Sequence, residues 1–244
     1  MNPLLQEIFE TKSYTNSKNE TVPINSETCR EQCEYLQKII NENNFRDSLE
    51  IGFAYGMSTL AIVEEVAVKQ GHHTVIDKFQ MDAWGGNGLD LIKKAGYSDH
   101  LEFIGEYCYH ALPMLMFANK RFDFAYIDST KQFDWLMVDF FYIDKMMKVG
   151  GVIVFDDVYF PAIRRLLRYI SRFPGYKVYS QFPENATPSR SRQMGQWLRN
   201  LPKMGKLLKS DILISDYELG LNAQCVALQK VDEDRRSWDW HVDF

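Results

Sequence analysis

Acidic residues follow two of the apolar runs that the sequence predicts to be strands. Asp128 comes directly after Ile127, and Asp156 and Asp157 come directly after Phe155. Neighbouring parallel strands end about 5 Å apart, so we expect the three carboxylates to meet at one rim of a sheet. Mg²⁺ or another hard divalent cation would neutralise them there. The alternative is that these residues cap helices and bond backbone amides, with no metal present.

A lysine lies close to the first of these carboxylates. Lys131 stands three residues after Asp128, on the loop before a predicted helix. A lysine with its ordinary pKa of about 10.4 is a poor base at neutral pH. Burial or a nearby cation would lower that pKa into a useful range, so we predict that Lys131 and Asp128 form a catalytic pair. An exposed surface lysine without a role is the alternative.

A turn with two glycines precedes both groups in the chain. Gly52 and Gly56 lie between an apolar run and a predicted helix, where glycine lets the backbone turn sharply and the first helical amides can face a ligand. The spacing is Gly-x-x-x-Gly, whereas a dinucleotide site has Gly-x-Gly-x-x-Gly. A pyrophosphate needs the second close glycine. The turn therefore favours S-adenosylmethionine, a cofactor without phosphate.

Two further carboxylates flank this turn. Glu50 stands two residues before Gly52, where its charge could meet the cationic amino-acid end of the cofactor. Asp77 follows the second predicted strand, 21 positions after Gly56, where an acidic side chain can accept hydrogen bonds from both ribose hydroxyls. A helix or turn cap is the alternative for Asp77.

The end of the third predicted strand completes the expected cofactor site. Glu106 and Tyr107 follow this strand and could flank an adenine, although a simple turn explains them nearly as well. The predicted cofactor-binding residues are Glu50, Gly52, Phe53, Tyr55, Gly56, Ser58, Asp77, Glu106, Tyr107 and Asp128.

These residues need a scaffold that brings strand ends together. From residue 48 onward, apolar runs that resemble strands alternate with helical patterns, which predicts a parallel sheet with helices on both faces. The predicted strands are 48–53, 73–77, 101–104, 122–127, 151–156, 176–179 and 225–228. The predicted helices between them are 57–69, 87–95, 110–118, 133–148 and 160–172, and residues 1–45 are predicted to be helical.

The domain boundaries follow from these elements. We expect an N-terminal helical extension over 1–46, a main domain over 47–231 with a cap insertion at about 182–222, and a tail over 232–244. The segment 189–210 is basic and amphipathic, and carries no acidic residue. It could form a cap over the pocket, a dimer face or a surface for anionic lipid, and we favour the cap or the dimer face.

Composition narrows the classes of partner. The 244 residues carry 28 Lys and Arg against 33 Asp and Glu, and the net charge of −5 gives no general attraction to nucleic acid. We expect a small-molecule substrate, no membrane span, a cytoplasmic location and a homodimer as one possible assembly. The four cysteines are too few and too scattered for a disulfide framework.

An ordered series of motifs resembles the class I S-adenosylmethionine-dependent methyltransferases. The resemblance is closest to a bacterial small-molecule family, the methyltransferase domain 24 type, and extends to catechol and caffeoyl-CoA O-methyltransferases. The motifs are LEIGFAYGMS (49–58), IDKFQ (76–80), GE with ALP (105–106, 111–113), FDFAYID (122–128), FD (133–134), DFFY (139–142) and VGGVIVFDD (149–157).

The resemblance implies a fold and site roles. It implies a Rossmann-like, doubly wound α/β fold with a seven-stranded, mostly parallel sheet and an antiparallel edge strand. It also implies that Glu50, Gly52 and Gly56 hold the methionine part of the cofactor and that Asp77 holds the ribose.

The metal-dependent O-methyltransferases supply a further comparison. There an aspartate, a lysine three residues later and an Asp-Asn pair carry metal and base, and the matching residues here are Asp128, Lys131, Asp156 and Asp157. Aspartate replaces asparagine at 157. In the closer bacterial family, Gly-Trp-His more often stands where this chain has Ser129-Thr130-Lys131.

The predicted function is S-adenosylmethionine-dependent methyl transfer to a hydroxyl of a small molecule, with or without assistance from a metal. N-methylation of a small amine and a catalytically silent cofactor-binding scaffold are the alternatives. An oxidoreductase on a dinucleotide fold is disfavoured because the glycine spacing differs.

Overall fold

The N-terminal part of the chain combines two helices with a hairpin. The computed structural model describes residues 1–25, 28–184 and 215–241. Its first elements are α1 (Pro3–Thr11), β1 (Ser13–Thr15), β2 (Thr21–Pro23) and α2 (Arg30–Glu42). The hairpin differs from the helical prediction for 1–45. The Asn16 side chain accepts hydrogen bonds from the amides of Lys18 and Glu20, and this local turn competes with a helix.

A seven-stranded sheet follows. Its strands are β3 (Asp47–Ile51), β4 (His72–Ile76), β5 (Leu101–Ile104), β6 (Phe122–Ile127), β7 (Met147–Phe155), β8 (Tyr176–Phe182) and β9 (Cys225–Lys230). Their order is β5-β4-β3-β6-β7-β9-β8, in which β9 runs antiparallel to both β7 and β8 and the other pairs are parallel. The predicted α/β fold is confirmed, and the antiparallel pairing lies at the β8 edge.

Helices cover both faces of this sheet. They are α3 (Met57–Val68), α4 (Asn87–Lys94), α5 (Cys108–Phe117), α6 (Phe133–Met146) and α7 (Pro161–Ile170), and a 3-10 turn, Ser98–His100, precedes β5. Each predicted strand and helix of the main domain is present, with its ends shifted by a few residues at most.

Alternating residues of the central strands face opposite cores. Phe124 and Tyr126 pack into one apolar cluster together with α2 and α3. Ala125 and Ile127 pack into the other together with α5, α6 and α7. Side chains of a strand alternate between the two faces of the sheet, so a strand covered on both sides is apolar throughout.

The strand register places the carboxyl ends of the central strands at the same height in the sheet. Ile51 pairs with both Ile76 and Ile127, and Ile127 pairs with Phe155. The polar residues that come next in the chain therefore emerge along one edge of the sheet, as a parallel arrangement requires.

Part of the predicted cap lies outside the described residues. These exclude 185–214, and with them the basic segment 189–210. Among the helices that are described, none combines the length and apolar character needed to cross a bilayer.

Candidate functional site

A cavity of about 270 Å³ opens at the carboxyl ends of β3, β4 and β6. The predicted cofactor-binding residues that line it are Gly52, Phe53, Tyr55, Gly56, Ser58, Asp77, Glu106, Tyr107 and Asp128. They come from the segments after four strands, β3, β4, β5 and β6. The strand register brings the ends of these strands to one edge of the sheet. Glu50, Lys131, Asp156 and Asp157 are not among the residues that line the cavity.

The glycine turn has a backbone that other residues tolerate poorly. Gly52 has φ of 97°, and a Cβ built there would lie 2.1 Å from the carbonyl oxygen of Asp128. Gly56 has φ of 81° and caps the start of α3, where a Cβ would meet the Phe53 ring at 2.9 Å. Both positions require glycine, one for the close approach of β6 and the other for the turn into the helix.

Asp77 ties this turn to the end of β4. Its Oδ2 accepts hydrogen bonds from the amides of Phe53, at 3.0 Å, and Ala54, at 3.1 Å. Its Oδ1 accepts the amide of Phe79 at 2.8 Å. A carboxylate offers about four acceptor positions, so these three bonds leave capacity for a ligand hydroxyl. Asp77 thus shapes the turn and faces the cavity at the same time.

Glu50 lies beneath the cavity and not in its wall. The side chain is fully buried, and its carboxylate accepts hydrogen bonds from Ser58 Oγ at 2.5 Å and Thr59 Oγ1 at 2.7 Å. His73 Nε2 lies 2.9 Å from the same carboxylate. Glu50 therefore joins β3 and β4 to the first turn of α3. Its oxygens face protein groups, and its contact with the cofactor stays a prediction.

Aromatic side chains form much of the remaining wall. Tyr55 and Trp84 meet edge to face with ring centroids 5.0 Å apart, and Phe79 meets Tyr107 in the same way at 5.9 Å. Trp135 lines the cavity as well. Sequence reasoning missed several lining residues, which are Thr28, Ala54, Met57, Lys78, Phe79, Trp84, Cys108, Ser129, Thr130 and Trp135. The neighbouring motif residues were the available signal for most of them.

The predicted catalytic pair forms a three-membered ion cluster. Lys131 Nζ lies 2.8 Å from Asp128 Oδ1 and 2.6 Å from Asp157 Oδ2. All three side chains are partly buried. Lys131 is therefore an ammonium group held between two carboxylates beside the cavity.

The charges of this cluster shift its proton equilibria. Burial by itself would lower the pKa of Lys131, but the two carboxylates outweigh it and the pKa is raised above its ordinary value. The expectation of a lowered lysine pKa is therefore wrong, and its predicted role as the base loses support. Burial and the negative charge of Asp156 raise the pKa of the Asp128 carboxyl to about 6, although the Lys131 ammonium opposes them.

Asp156 turns away from the cluster into a buried polar network. Its Oδ2 accepts hydrogen bonds from Gln32 Nε2 at 2.7 Å and Tyr126 OH at 2.6 Å. Its Oδ1 accepts the Cys225 thiol at 3.1 Å and the amide of Asp157 at 2.7 Å. Both oxygens of the buried carboxylate are thus occupied by protein donors.

These contacts do not fit the predicted metal site. A hard cation needs several free oxygen ligands. Asp156 has none to offer, and the ammonium of Lys131 already bonds Asp128 and Asp157. Within the described ranges, no group of three His, Cys, Asp or Glu residues could hold a metal ion. The contacts of Asp128, Asp156 and Asp157 thus do not fit the single metal ion that the sequence predicts for them.

The strand order gives a Rossmann-like α/β fold with a cavity at its strand ends, and sequence comparisons find methyltransferases among the similar proteins. A methyltransferase domain family matches residues 49–158. Tapetum-specific methyltransferase 1 of Arabidopsis thaliana is 29% identical over 162 residues, which cover 63% of each chain. A putative caffeoyl-CoA O-methyltransferase of the same plant is 31% identical over 157 residues, 63% of this chain and 62% of that one. The matches thus span just over three fifths of these curated relatives.

Solved structures share the fold. An O-methyltransferase from Bacillus cereus in complex with SAH aligns with a TM-score of 0.60 and 21% identity, over 73% of this chain and 83% of that one. The O-methyltransferase TomG from Streptomyces achromogenes in complex with SAM aligns with a TM-score of 0.58 and 17% identity, over 73% and 82%. Residues 49–158 thus match a methyltransferase domain, and the resemblance found in the sequence is confirmed.

Proposed function

We propose that this protein transfers a methyl group from S-adenosylmethionine to a hydroxyl of a small molecule. The observation that carries the proposal is the cavity wall made by the glycine turn, with Asp77 bonded to that turn and facing the same space. Caffeoyl-CoA O-methyltransferase from Populus kitakamiensis, 28% identical over 162 residues, supports oxygen as the acceptor atom.

Each part of the cofactor has a place in this proposal. Gly52 and Gly56 leave room for the methionine part beside the first turn of α3, and Asp77 accepts hydrogen bonds from the ribose hydroxyls. Tyr107 lies next to Glu106 at the end of β5 and offers an aromatic face for the adenine.

The reaction needs placement more than strong acid–base chemistry. The methyl carbon leaves the sulfonium sulfur as its bond to the acceptor oxygen forms, and this transfer removes the positive charge from sulfur. In-line positioning therefore lowers much of the barrier. Asp128 lines the cavity and its carboxylate can take the acceptor's proton. Lys131 pairs with Asp128 as a cation, and the proposed reaction uses no divalent metal because the rim residues do not fit one.

An amine acceptor is the second candidate. The raised pKa of Lys131 argues against a strong base at the site. A neutral amine attacks a sulfonium methyl group without prior ionisation, whereas an alcohol needs to lose its proton. Because the ion cluster holds Lys131 as a cation that cannot act as a base, it favours an acceptor such as an amine that needs no ionisation.

Calorimetry tests the cofactor half of the proposal. We expect S-adenosylhomocysteine to bind one site per chain and NAD to give no heat. Absence of binding by both S-adenosylhomocysteine and S-adenosylmethionine would overturn the proposed function.

An activity assay tests whether the protein transfers the methyl group. Purified protein is incubated with methyl-labelled S-adenosylmethionine and a panel of phenols, catechols and amines, and label transfer is measured with Asp128→Asn as the matched variant. Transfer by the wild type and its loss in the variant support an enzyme. Binding of cofactor without transfer to any member of the panel favours the silent scaffold.

A further inference from the structure

We propose that the Lys131 ammonium takes the place of a divalent cation at the sheet rim, so that the site works with an internal cation and binds no metal. The inference concerns the site of the proposed function, but it does not depend on which cofactor fills the cavity. It rests on the positions of the rim carboxylates and their partners.

The first step is the geometry of the cluster. One Nζ atom lies within hydrogen-bond distance of two carboxylates that belong to different strand ends, Asp128 after β6 and Asp157 after β7. An ammonium has three donors and a single positive charge, which suits two facing carboxylates. The attraction that would draw a metal ion to this pair is already met by Lys131.

The second step concerns Asp156, the third carboxylate at the rim, whose oxygens are already bonded to protein donors. Asp156 is 5% exposed and receives four donors, two on each oxygen. Two of those donors come from distant parts of the chain, Gln32 on α2 and Cys225 on β9. A metal would have to displace this network, and each buried donor left without a partner would carry a desolvation cost.

The third step is the charge balance. Asp128 and Asp157 together with Lys131 carry a net charge of one negative unit, whereas a divalent ion in place of the ammonium would leave the pair neutral. The two arrangements exclude each other, because both positive groups would occupy the space between the same two oxygens. Removal of the ammonium should therefore create an affinity for a divalent ion that the wild type lacks.

The experiment titrates the protein with Mn²⁺ and follows the free ion by electron paramagnetic resonance. The variants are Lys131→Met, Lys131→Arg and the control Lys120→Met, which removes an exposed lysine paired with Glu102 far from the rim. Melting temperatures are recorded with millimolar MgCl₂, with MnCl₂ and with EDTA.

The expected results differ between the proteins. The wild type, Lys131→Arg and Lys120→Met bind no Mn²⁺ at submillimolar concentration and melt at the same temperature with metal or with EDTA. Lys131→Met melts roughly 3–6 °C lower because two carboxylates lose their common partner, and MnCl₂ restores most of the loss.

Three outcomes would overturn the inference. These are stoichiometric Mn²⁺ binding by the wild type, a wild-type melting temperature that falls in EDTA, and a Lys131→Met protein that metal does not restore. Should that variant fail to fold, the wild-type titration still decides the question. Binding of S-adenosylhomocysteine, measured on the same samples, separates failure of this inference from failure of the proposed function.

Discussion

Ser129 Oγ donates a hydrogen bond to Asp139 Oδ2 over 3.2 Å and so connects the wall of the cavity to the interior of helix α6. The Cys108 thiol at the start of α5 also lines the cavity and acts to lower the pKa of the same carboxyl group. Asp139 is fully buried, and its Oδ1 has no partner among the described residues. This buried carboxylate therefore holds the loop after β6 from behind the cavity.

Asp139 makes the stability of the protein depend on pH. Burial raises the pKa of the Asp139 carboxyl to about 6, although the hydrogen bonds from Cys108 and Ser129 oppose the shift. The unfolded chain has a pKa of about 3.9 at this residue, so the folded state binds the extra proton between these values. This contribution to stability is fully present below the lower pKa and is lost as pH rises through the higher one.

We expect Asp139→Asn to abolish the part of the fall in stability with rising pH that comes from Asp139. The unfolding free energy of the variant relative to the wild type should rise by on the order of 2 kcal/mol between about pH 4 and about pH 7. Urea unfolding at a series of pH values measures it. A difference in unfolding free energy between variant and wild type that stays constant across this pH range would contradict the raised pKa of Asp139.

Gly52 should be intolerant of any side chain. We expect Gly52→Ala to weaken binding of S-adenosylhomocysteine by at least about tenfold, because the new methyl group meets the Asp128 carbonyl and displaces the turn. Gly96→Ala is the matched control, since Gly96 also has a positive φ, of 83°, but a Cβ there meets nothing within 4 Å. Calorimetry on both variants compares them. Equal losses of affinity would mean that backbone strain, and not the clash, explains the result.

Asp77 should affect binding more than folding. We expect Asp77→Ala to reduce affinity for S-adenosylhomocysteine by roughly 10- to 100-fold, because it removes the ribose acceptor and frees the amides of Phe53 and Ala54. The control is Asp99→Asn at an exposed position away from the cavity. Unchanged affinity in Asp77→Ala would remove Asp77 from the cofactor site.

Replacement of Glu50 should affect folding more than cofactor binding. Glu50→Gln keeps the shape of the side chain but removes the charge that accepts bonds from Ser58 and Thr59. We expect the unfolding free energy to fall by about 1–3 kcal/mol, with a smaller effect on cofactor affinity than Asp77→Ala produces. Denaturant unfolding and calorimetry together measure both quantities. A large loss of affinity at unchanged stability would restore the predicted direct contact with the cofactor.

Much of the fold and part of the site follow from local sequence. The alternation of apolar runs and helical patterns predicts the parallel sheet, and the residues that end those runs predict which side chains meet at its edge. Spacing therefore places Gly52, Asp77 and Asp128 at this edge, where the strand register aligns them.

The roles of the rim residues could not be found in this way. Sequence spacing places Asp156 next to Asp157, and it offers no sign that Gln32 and Cys225 converge on Asp156 from positions far away in the chain. The hairpin at Ser13–Pro23 is a second case, because the side chain of Asn16 outweighs the weak helical pattern around it.

The sequence by itself determines that this chain forms a parallel α/β sheet with carboxylates at the ends of its strands, because strand periodicity and the residues that follow each strand are local properties. The tertiary structure alone decides what each carboxylate does. The packing of α2 on the sheet and the pairing of β9 with β7 bring Gln32 and Cys225 to Asp156, whereas Lys131 pairs with Asp128 and Asp157. A carboxylate's function depends on the donors that reach it, and those donors are set by contacts between distant parts of the chain.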